Sequence, residues 1–275
     1  MYSFILTNNK LCLILFVLEL EAKEMSENKF NGMGKIYSKY RPAYSFNFID
    51  YLFANVGISQ SSIIADIGSG TGILTKQLLE KGSKVYGIEP NADMRVIAET
   101  NLKSFSKFTS VNGRAENTTI ADNSIDYITV AQAFHWFDRE RFKKECQHIL
   151  KPEGKVILVW NSWDNKNELV MENYEVNCKY CPNFKGFSGG MYDKINENDF
   201  SDFFNGKYET KVFLNNLIFD MDGFIGRNLS SSYALKSSDA QYNDYVNELK
   251  KIYKKYRNNG KLIMPNLTRS YVGNV

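Results

Sequence analysis

The chain has 275 residues, enough for one large domain or two small ones with a substantial core that needs no disulfides. Its 34 basic and 31 acidic side chains leave a net charge of +3 and no long basic run, which disfavours nucleic acid as a partner. Four scattered cysteines exclude a disulfide framework and indicate a reducing compartment, so we predict a cytoplasmic protein.

The N-terminus contains an apolar run from Leu11 to Leu18, which is shorter than the roughly 20 residues that a membrane span requires. It also lacks the basic start and small-residue cleavage site of a signal peptide. Because Met25 opens a polar stretch that looks like a natural start, we predict that residues 1–24 are an extension outside the fold. They are either the product of an upstream start or a short docking helix. Residues 25–275 are predicted to form a single domain.

From residue 46 onwards, helical apolar spacing alternates with short continuous apolar runs. The first helix is predicted over 46–55. The apolar runs have no polar alternation, as is typical of buried parallel strands, and lie at 62–67, 84–88, 107–111, 125–131 and 155–160. The helices between them are predicted at 72–81, 91–103 and 138–150. This alternation predicts an α/β fold with a doubly wound, mostly parallel sheet.

The pattern loosens after Trp163, and we divide the domain there. A core over about 45–163 is followed by an insertion over about 164–205, helical and then loop-like, and by C-terminal elements over 206–275. These elements are a strand in 208–219, helices at 221–230 and 239–257, and a last strand within 261–273. Cys178 and Cys181 form a C-x-x-C, but without a second pair two ordinary thiols on a helix are favoured and no metal site is predicted.

Three glycines stand at alternate positions where the first strand meets its helix. Gly68, Gly70 and Gly72 would bring backbone N–H groups and a helix N-terminus against a ligand. Glu89 ends the next strand, where its carboxylate could accept both hydroxyls of a ribose. Because Ile73 occupies the third glycine position of the dinucleotide fingerprint, the spacing differs from that motif, and we predict another adenosine ligand. A tight turn without a ligand would need only one such glycine.

Three stretches, "ADIGSGTG", "GIEPNADM" and "LKPEGKVIL", resemble successive motifs of the class I S-adenosylmethionine-dependent methyltransferases, and the resemblance runs from about Lys29 to the C-terminus. "YSKYRPAY", "RAENTTIADNSIDYITVAQAFHWFD" and "LTRSYVGN" are similar to the trans-aconitate methyltransferase-like group of the type 11 methyltransferase domain. The resemblance implies a Rossmann-like fold with a seven-stranded sheet. It also implies S-adenosylmethionine as cofactor, and a lid built from the N-terminal segment and the insertion after the fifth strand.

The resemblance also implies roles for single residues. Asp66 would hold the amino group of the cofactor, directly or through water, and Glu89 would hold the ribose. Ala115 and Glu116 would flank the adenine. The full predicted set is Tyr37, Arg41, Asp66, Gly68, Ser69, Gly70, Gly72, Glu89, Pro90, Met94, Ala115, Glu116, Ala131 and Gln132. For Tyr37 and Arg41, which would close over the cofactor, helix capping and packing on the sheet is the alternative.

His135 and Trp136 follow the fourth strand at the carboxyl edge, where open parallel sheets bind ligands, and are the candidate catalytic residues. The imidazole could accept a proton from a hydroxyl or amine acceptor, whereas a carboxylate acceptor needs no base. Alternatively, both side chains form a structural wall. This position reads "AQAFHW" and lacks the Asn/Asp-Pro-Pro-aromatic signature of enzymes that methylate nucleic-acid amino groups.

We therefore predict methyl transfer from S-adenosylmethionine to a small molecule, with a carboxylate as the candidate acceptor and Arg227, Ser231 and Tyr233 as its candidate contacts. No nucleic-acid or membrane partner is predicted, and the protein would be a monomer or homodimer. Two alternatives remain open. One is a methyltransferase that acts on a protein or a larger metabolite, and the other is a cofactor-binding protein that has lost catalysis.

Overall fold

The computed structural model describes residues 41–187, 197–231 and 233–275. Tyr37 and the predicted extension over 1–24 lie outside these ranges. The strands are β1 (Ile63–Ile67), β2 (Lys84–Ile88), β3 (Phe108–Val111), β4 (Ile125–Ala131), β5 (Leu150–Trp163), β6 (Tyr208–Leu214), β7 (Leu217–Phe219), β8 (Leu262–Met264) and β9 (Asn266–Gly273).

The helices alternate with the first five strands and then cluster in the second half of the chain. They are α1 (Phe46–Tyr51), α2 (Ile73–Glu80), α3 (Ala92–Leu102), α4 (Arg139–Ile149), α5 (Glu168–Tyr180), α6 (Glu197–Phe203), α7 (Met221–Leu229) and α8 (Tyr242–Tyr256). Helix α1 continues as a π-helix over Leu52–Val56 and ends at Gly57, which has a left-handed φ of 103°. Within the described ranges, no helix has the length and apolar character needed to cross a bilayer.

Seven strands form one sheet in the order β3-β2-β1-β4-β5-β9-β6. Strands β1 to β5 pair in parallel, and β9 runs antiparallel to both β5 and β6. The prediction of an α/β fold with a mostly parallel, doubly wound seven-stranded sheet is therefore confirmed. Right-handed crossovers put α2 and α3 on one face and α4 on the other, because β2 and β3 extend the sheet to one side of β1 and β5 extends it beyond β4 on the other side.

Each face of the sheet carries its own apolar core. On one face, side chains of β1 and β5, such as Ile64 and Val159, pack with α1, α2 and α3. On the other face, β4 and β5 pack with α4 and α6 through aromatic side chains such as Phe134 and Phe142. Because both faces are covered, the central strands are mostly apolar, as their sequences indicated.

The C-terminal strands differ from their prediction because each predicted strand serves two sheets. The strand predicted over 208–219 is divided at Asn215 into β6 and β7, and the one within 261–273 is divided at Pro265 into β8 and β9. Proline has no N–H for a ladder, so it interrupts the pairing. The Asn215 N–H donates to the carbonyl of Asn266 at 2.8 Å. Beyond this bond, the two stretches of chain pair outside the main sheet, as the separate β7–β8 ribbon.

Strand β5 is longer than predicted, since it covers 150–163 instead of 155–160. Its pairing with β9 continues from Val156 to Trp163 and carries the polar residues Asn161 and Ser162 inside the sheet. Because the prediction relied on a continuous apolar run, it ended the strand before these polar residues. The extension matters because it carries the polar end of β5 past the last residue of β4.

A third core lies apart from the main sheet. It joins α5, α7, α8 and the β7–β8 ribbon through side chains such as Leu169, Phe224 and Tyr245. In contrast, Phe200 and Phe203 of α6 belong to the core of the main sheet. The division into a lid over 164–205 and C-terminal elements over 206–275 stays a prediction. Cys178 is exposed on α5, and Cys181 is buried one residue beyond its end.

Candidate functional site

The glycine loop is fastened to the end of β2. The N–H groups of Gly68 and Ser69 donate to the carbonyl of Ile88 at 2.8 and 3.1 Å. The Gly70 N–H donates to the Glu89 Oε2 at 2.9 Å. The carboxyl ends of β1 and β2 thus place the glycines and the acidic residue at one point, as their positions in the sequence predicted.

The three glycines meet different surroundings, although all have left-handed φ angles. A Cβ on Gly68 would lie 2.6 Å from the Cβ of Ala133, and one on Gly72 would lie 2.8 Å from the Cδ1 of Leu102. A Cβ on Gly70 would meet no atom within 4 Å. Packing therefore requires glycine at position 68, Gly72 is favoured by its left-handed φ of 81°, and Gly70 (φ 56°) faces open space.

Asp66 is fully buried and joins three elements at the base of the loop. Its Oδ2 accepts from the Thr75 hydroxyl of α2 at 2.5 Å, and its Oδ1 accepts from the Thr129 hydroxyl of β4 at 2.8 Å. The Thr75 backbone N–H also donates to this carboxylate. The predicted contact between Asp66 and a cofactor amino group stays a prediction, while these bonds fix the start of α2 relative to β1 and β4.

Burial raises the pKa of the Asp66 carboxyl from 3.8 to about 6, against the lowering effect of the threonine hydrogen bonds. The protonated carboxyl is favoured in the folded state, so its contribution to the free energy of unfolding is fully present below pH 3.8 and is lost as the pH rises through 6. A shift of this size corresponds to about 3 kcal/mol. The wild-type chain should therefore lose stability between pH 4 and pH 7.

The variant Asp66→Asn tests this assignment, because it cannot titrate. Thermal melts from pH 4 to pH 8 should show that the difference in Tm between wild type and variant changes across pH 4 to 7. Asp222→Asn, on the exposed first turn of α7, is the control and should leave the pH profile of the wild type intact. A constant difference between wild type and Asp66→Asn over this range would contradict the raised pKa.

The stretch after β2 is held rigidly around Glu89. Besides the Gly70 bond, Glu89 Oε1 accepts from the Asn91 N–H at 2.9 Å. The Arg95 Nη1 donates to the carbonyls of Glu89 and Pro90 at 2.8 and 2.7 Å. Asn91 caps α3 by accepting from the N–H of Met94, which is buried. The Glu89 carboxylate is thereby positioned before any ligand binds.

The turn after β4 lies directly against the glycine loop, where Ala133 approaches Gly68. Gln132 has a left-handed φ of 57°, and its Nε2 donates to the carbonyl of Asn161 at 2.9 Å. A short 3-10 helix, Phe134–Trp136, follows. The His135 and Trp136 rings lie 4.7 Å apart, and Trp136 is 38% exposed. The structure thus brings both candidate catalytic residues to the turn that borders the loop.

The predicted adenine-flanking residues differ in exposure. Ala115 is buried in the main core, whereas Glu116 is partly exposed and its Oε1 accepts from the Asp138 N–H at the start of α4. Ser69 and Ala131 are partly exposed at the same edge.

The predicted carboxylate contacts lie together in the second half of the chain. The Arg227 guanidinium lies 5.3 Å from the centroid of the Trp163 ring. Burial raises the pKa of the Tyr233 phenol, while a hydrogen bond with Ser231 and the charges of Arg227 and Arg41 act in the opposite direction. The charges of both guanidinium groups therefore act on the Tyr233 hydroxyl, and Arg41 joins a group that the sequence pattern did not connect to it.

Several residues that shape this site were missed by sequence reasoning. They are single polar side chains inside helices or strands, where periodicity gives no signal: Thr75, Gln77, Arg95, Thr129 and Asn161. Only their partners in the folded chain reveal them.

Residues 65–158, which contain the glycine loop, Glu89 and the turn after β4, match the model of the family described as "Methyltransferase domain". These residues are thus similar to a methyltransferase domain. An uncharacterized methyltransferase of Mycobacterium tuberculosis is 34% identical over 154 residues, 56% of this chain and 60% of the relative. An uncharacterized methyltransferase-like protein of Schizosaccharomyces pombe is 32% identical over 130 residues, which are 47% of this chain and 50% of the relative. The chain thus spans half to three fifths of the length of these relatives.

Solved structures agree with the fold described above. A proposed type II methyltransferase from Anaeromyxobacter dehalogenans superposes with a TM-score of 0.59 at 17% identity, covering 86% of this chain and 98% of that one. A proposed methyltransferase from an antibiotic biosynthesis pathway of Anabaena variabilis gives a TM-score of 0.54 at 19% identity, with 84% and 98% covered. At these identities the likeness concerns the fold alone.

The glycine loop and Glu89 fit the cofactor that the matched family implies. Open space over Gly70 allows a ligand to reach the loop backbone. The buried Oγ1 of Thr71, between Gly70 and Gly72, has no hydrogen-bond partner among the described residues. The Glu89 carboxylate at the end of β2 is an acceptor suited to ribose hydroxyls. These features of Gly70, Thr71 and Glu89 are compatible with S-adenosylmethionine.

Proposed function

We propose that this protein transfers a methyl group from S-adenosylmethionine to a small-molecule acceptor, with a carboxylate as the acceptor group. The observation that carries the proposal is the meeting of the open face of Gly70, the fixed carboxylate of Glu89 and the His135–Trp136 turn at one edge of the sheet. In open α/β sheets this carboxyl edge is where ligands bind.

When bound, S-adenosylmethionine supplies a methyl group already activated as a sulfonium, so transfer breaks one C–S bond and forms one bond to the acceptor. The chain then has to align the acceptor and exclude water, and it needs few catalytic groups. Glu89 would hold the ribose and the glycine loop would hold the methionine portion. The Asp66 bonds to Thr75 and Thr129 would keep that loop in place.

A carboxylate acceptor is supported by the group formed by Arg41, Arg227, Ser231 and Tyr233. Two guanidinium groups and a hydroxyl with a raised pKa can bind an anion by charge-assisted hydrogen bonds. Such an acceptor is already ionised at neutral pH, so His135 would align it and would not need to act as a base. A hydroxyl or amine acceptor would instead require His135 to take its proton.

The experiment that tests the proposal is methyl transfer with labelled cofactor, using small organic acids, tRNA and total protein in parallel. We expect label in at least one small acid and none in RNA. Label in polypeptide alone would favour the alternative of a protein methyltransferase. Binding of S-adenosylhomocysteine without any transfer would favour a cofactor-binding protein that has lost catalysis.

His135→Ala separates the acceptor classes. With a carboxylate acceptor, kcat should fall less than about tenfold, because only alignment is lost, whereas loss of a general base costs about 100-fold or more. His148→Ala is the matched control, since His148 lies on α4 and pairs with Asp122 at 2.6 Å. Steady-state kinetics with the acid found above provide the measurement. A 100-fold loss in His135→Ala would contradict the carboxylate assignment.

The finer predictions from the sequence remain part of this proposal. They are membership of the trans-aconitate methyltransferase-like group, a lid formed by the N-terminal segment and the insertion after β5, and a cytoplasmic monomer or homodimer without nucleic-acid or membrane partners. Their support is the "AQAFHWFD" motif, the small net charge and the cysteine usage.

A further inference from the structure

Residues 41–45, here called the leading segment, are held on one side by Gln77 of α2. This amide is 6% exposed. Its Oε1 accepts from the Tyr44 N–H at 2.9 Å, and its Nε2 donates to the Tyr44 carbonyl at 2.8 Å. The reciprocal pair fixes the Tyr44 backbone against the helix that follows the glycine loop.

The other side of the leading segment is held by Asn161 of β5. The Asn161 Nδ2 donates to the Ala43 carbonyl at 3.2 Å, and its Oδ1 accepts from Thr268 Oγ1 and Asn215 Nδ2 at 2.6 and 3.0 Å. Asn215 also donates to the Ala43 carbonyl, and the Ser45 N–H donates to Thr268 Oγ1. The backbone of the leading segment is therefore tied to β5, to β9 and to the link between β6 and β7 by a network centred on the buried Asn161 amide.

The strand registers place Asn161 beside the candidate site. Asp66 is level with Thr129, and Thr129 is level with Ile157, so Asn161 lies four residues further towards the carboxyl edge. At a rise of about 3.3 Å per residue this is about 13 Å beyond Asp66. The Asn161 carbonyl also accepts from Gln132 Nε2 in the turn after β4. One residue thus bonds both the leading segment and the turn that borders the glycine loop.

We propose that Gln77 and Asn161 are positioning residues that hold the leading segment next to the cofactor site, so that cofactor affinity depends on both amides. The inference rests on the proposed function. Each amide bonds the backbone of the leading segment, so it fixes the path of the chain whatever side chains the segment carries. The segment begins with Arg41, whose charge acts on Tyr233, and its position therefore sets where that charge lies.

The test combines calorimetry with S-adenosylhomocysteine and amide hydrogen exchange of the full chain. Gln77→Ala and Asn161→Ala should each raise the Kd by about tenfold, the factor expected when one or two buried hydrogen bonds no longer hold the segment. The Tyr44 amide should exchange faster in Gln77→Ala, and the Ser45 amide in Asn161→Ala. Gln77→Glu keeps the acceptor for the Tyr44 N–H but turns an oxygen towards the Tyr44 carbonyl, so it should not restore the wild-type Kd.

Ser83→Ala is the matched control, because Ser83 is buried and its hydroxyl donates to the carbonyl of Ser59 at 2.8 Å, at the amino edge of the sheet. It should leave the Kd unchanged even if Tm falls. Unchanged Kd in Gln77→Ala and Asn161→Ala would overturn the inference, and so would a Ser83→Ala effect of equal size. If Asn161→Ala does not fold, the Gln77 variants decide the matter. Failure of the wild type to bind S-adenosylhomocysteine would instead refute the proposed function.

Discussion

Glu89→Ala is expected to weaken binding of S-adenosylhomocysteine by about 10- to 100-fold for each charge-assisted hydrogen bond lost, since such a bond contributes about 1.5 to 3 kcal/mol. The carboxylate is fixed at the end of β2 by the N–H groups of Gly70 and Asn91, so little ordering has to occur when a ribose binds. Isothermal titration calorimetry measures the change directly.

One further variant tests the charge of Glu89, and a second serves as a control. Glu89→Gln keeps the shape and one acceptor oxygen, and its loss of affinity should be smaller than that of alanine. Glu99→Ala removes an exposed acidic side chain from α3 and should leave affinity unchanged. If Glu89→Ala bound S-adenosylhomocysteine as tightly as the wild type, the ribose assignment would be wrong.

Gly70→Ala is expected to abolish most cofactor binding while the fold survives. Its new Cβ would enter the open space above the loop, and the left-handed backbone would cost about 1 to 2 kcal/mol. Gly68→Ala should instead destabilise the fold. It adds the same left-handed backbone strain, and its new Cβ would also lie 2.6 Å from the Cβ of Ala133. Overpacking adds about 1 to 3 kcal/mol, so Tm should fall by about 5 to 15 °C.

Gly260→Ala is the matched control for Gly70→Ala. Gly260 has a similar φ of 71°, also has no atom within 4 Å of a built Cβ, and lies in the turn before β8. Both variants should lose a similar amount of Tm, measured by calorimetric melting. Only Gly70→Ala should lose affinity for S-adenosylhomocysteine. Equal affinity in both would mean that no ligand occupies the space above Gly70.

The sequence by itself was sufficient to predict the central half of this protein. Five apolar runs without polar alternation predicted the parallel strands, because a strand covered on both faces has no solvent-facing side that would carry polar residues. The glycines and Glu89 were found because close backbone approach and the end of a parallel strand leave local signatures. For the same reason the sequence predicted that both groups meet at one edge, and the Gly70–Glu89 bond agrees with this.

Tertiary structure alone decided which residues hold that edge together. Gln77 and Asn161 act on Tyr44 and Ala43, which are 33 and 118 residues away in the chain, so no local pattern connects them. The division of the C-terminal strands between two sheets likewise depends on the pairing of Asn215 with Asn266, since β-propensity does not specify a partner. Apolar periodicity records which face of an element is buried, but a hydrogen bond between distant polar groups exists only once the chain has folded.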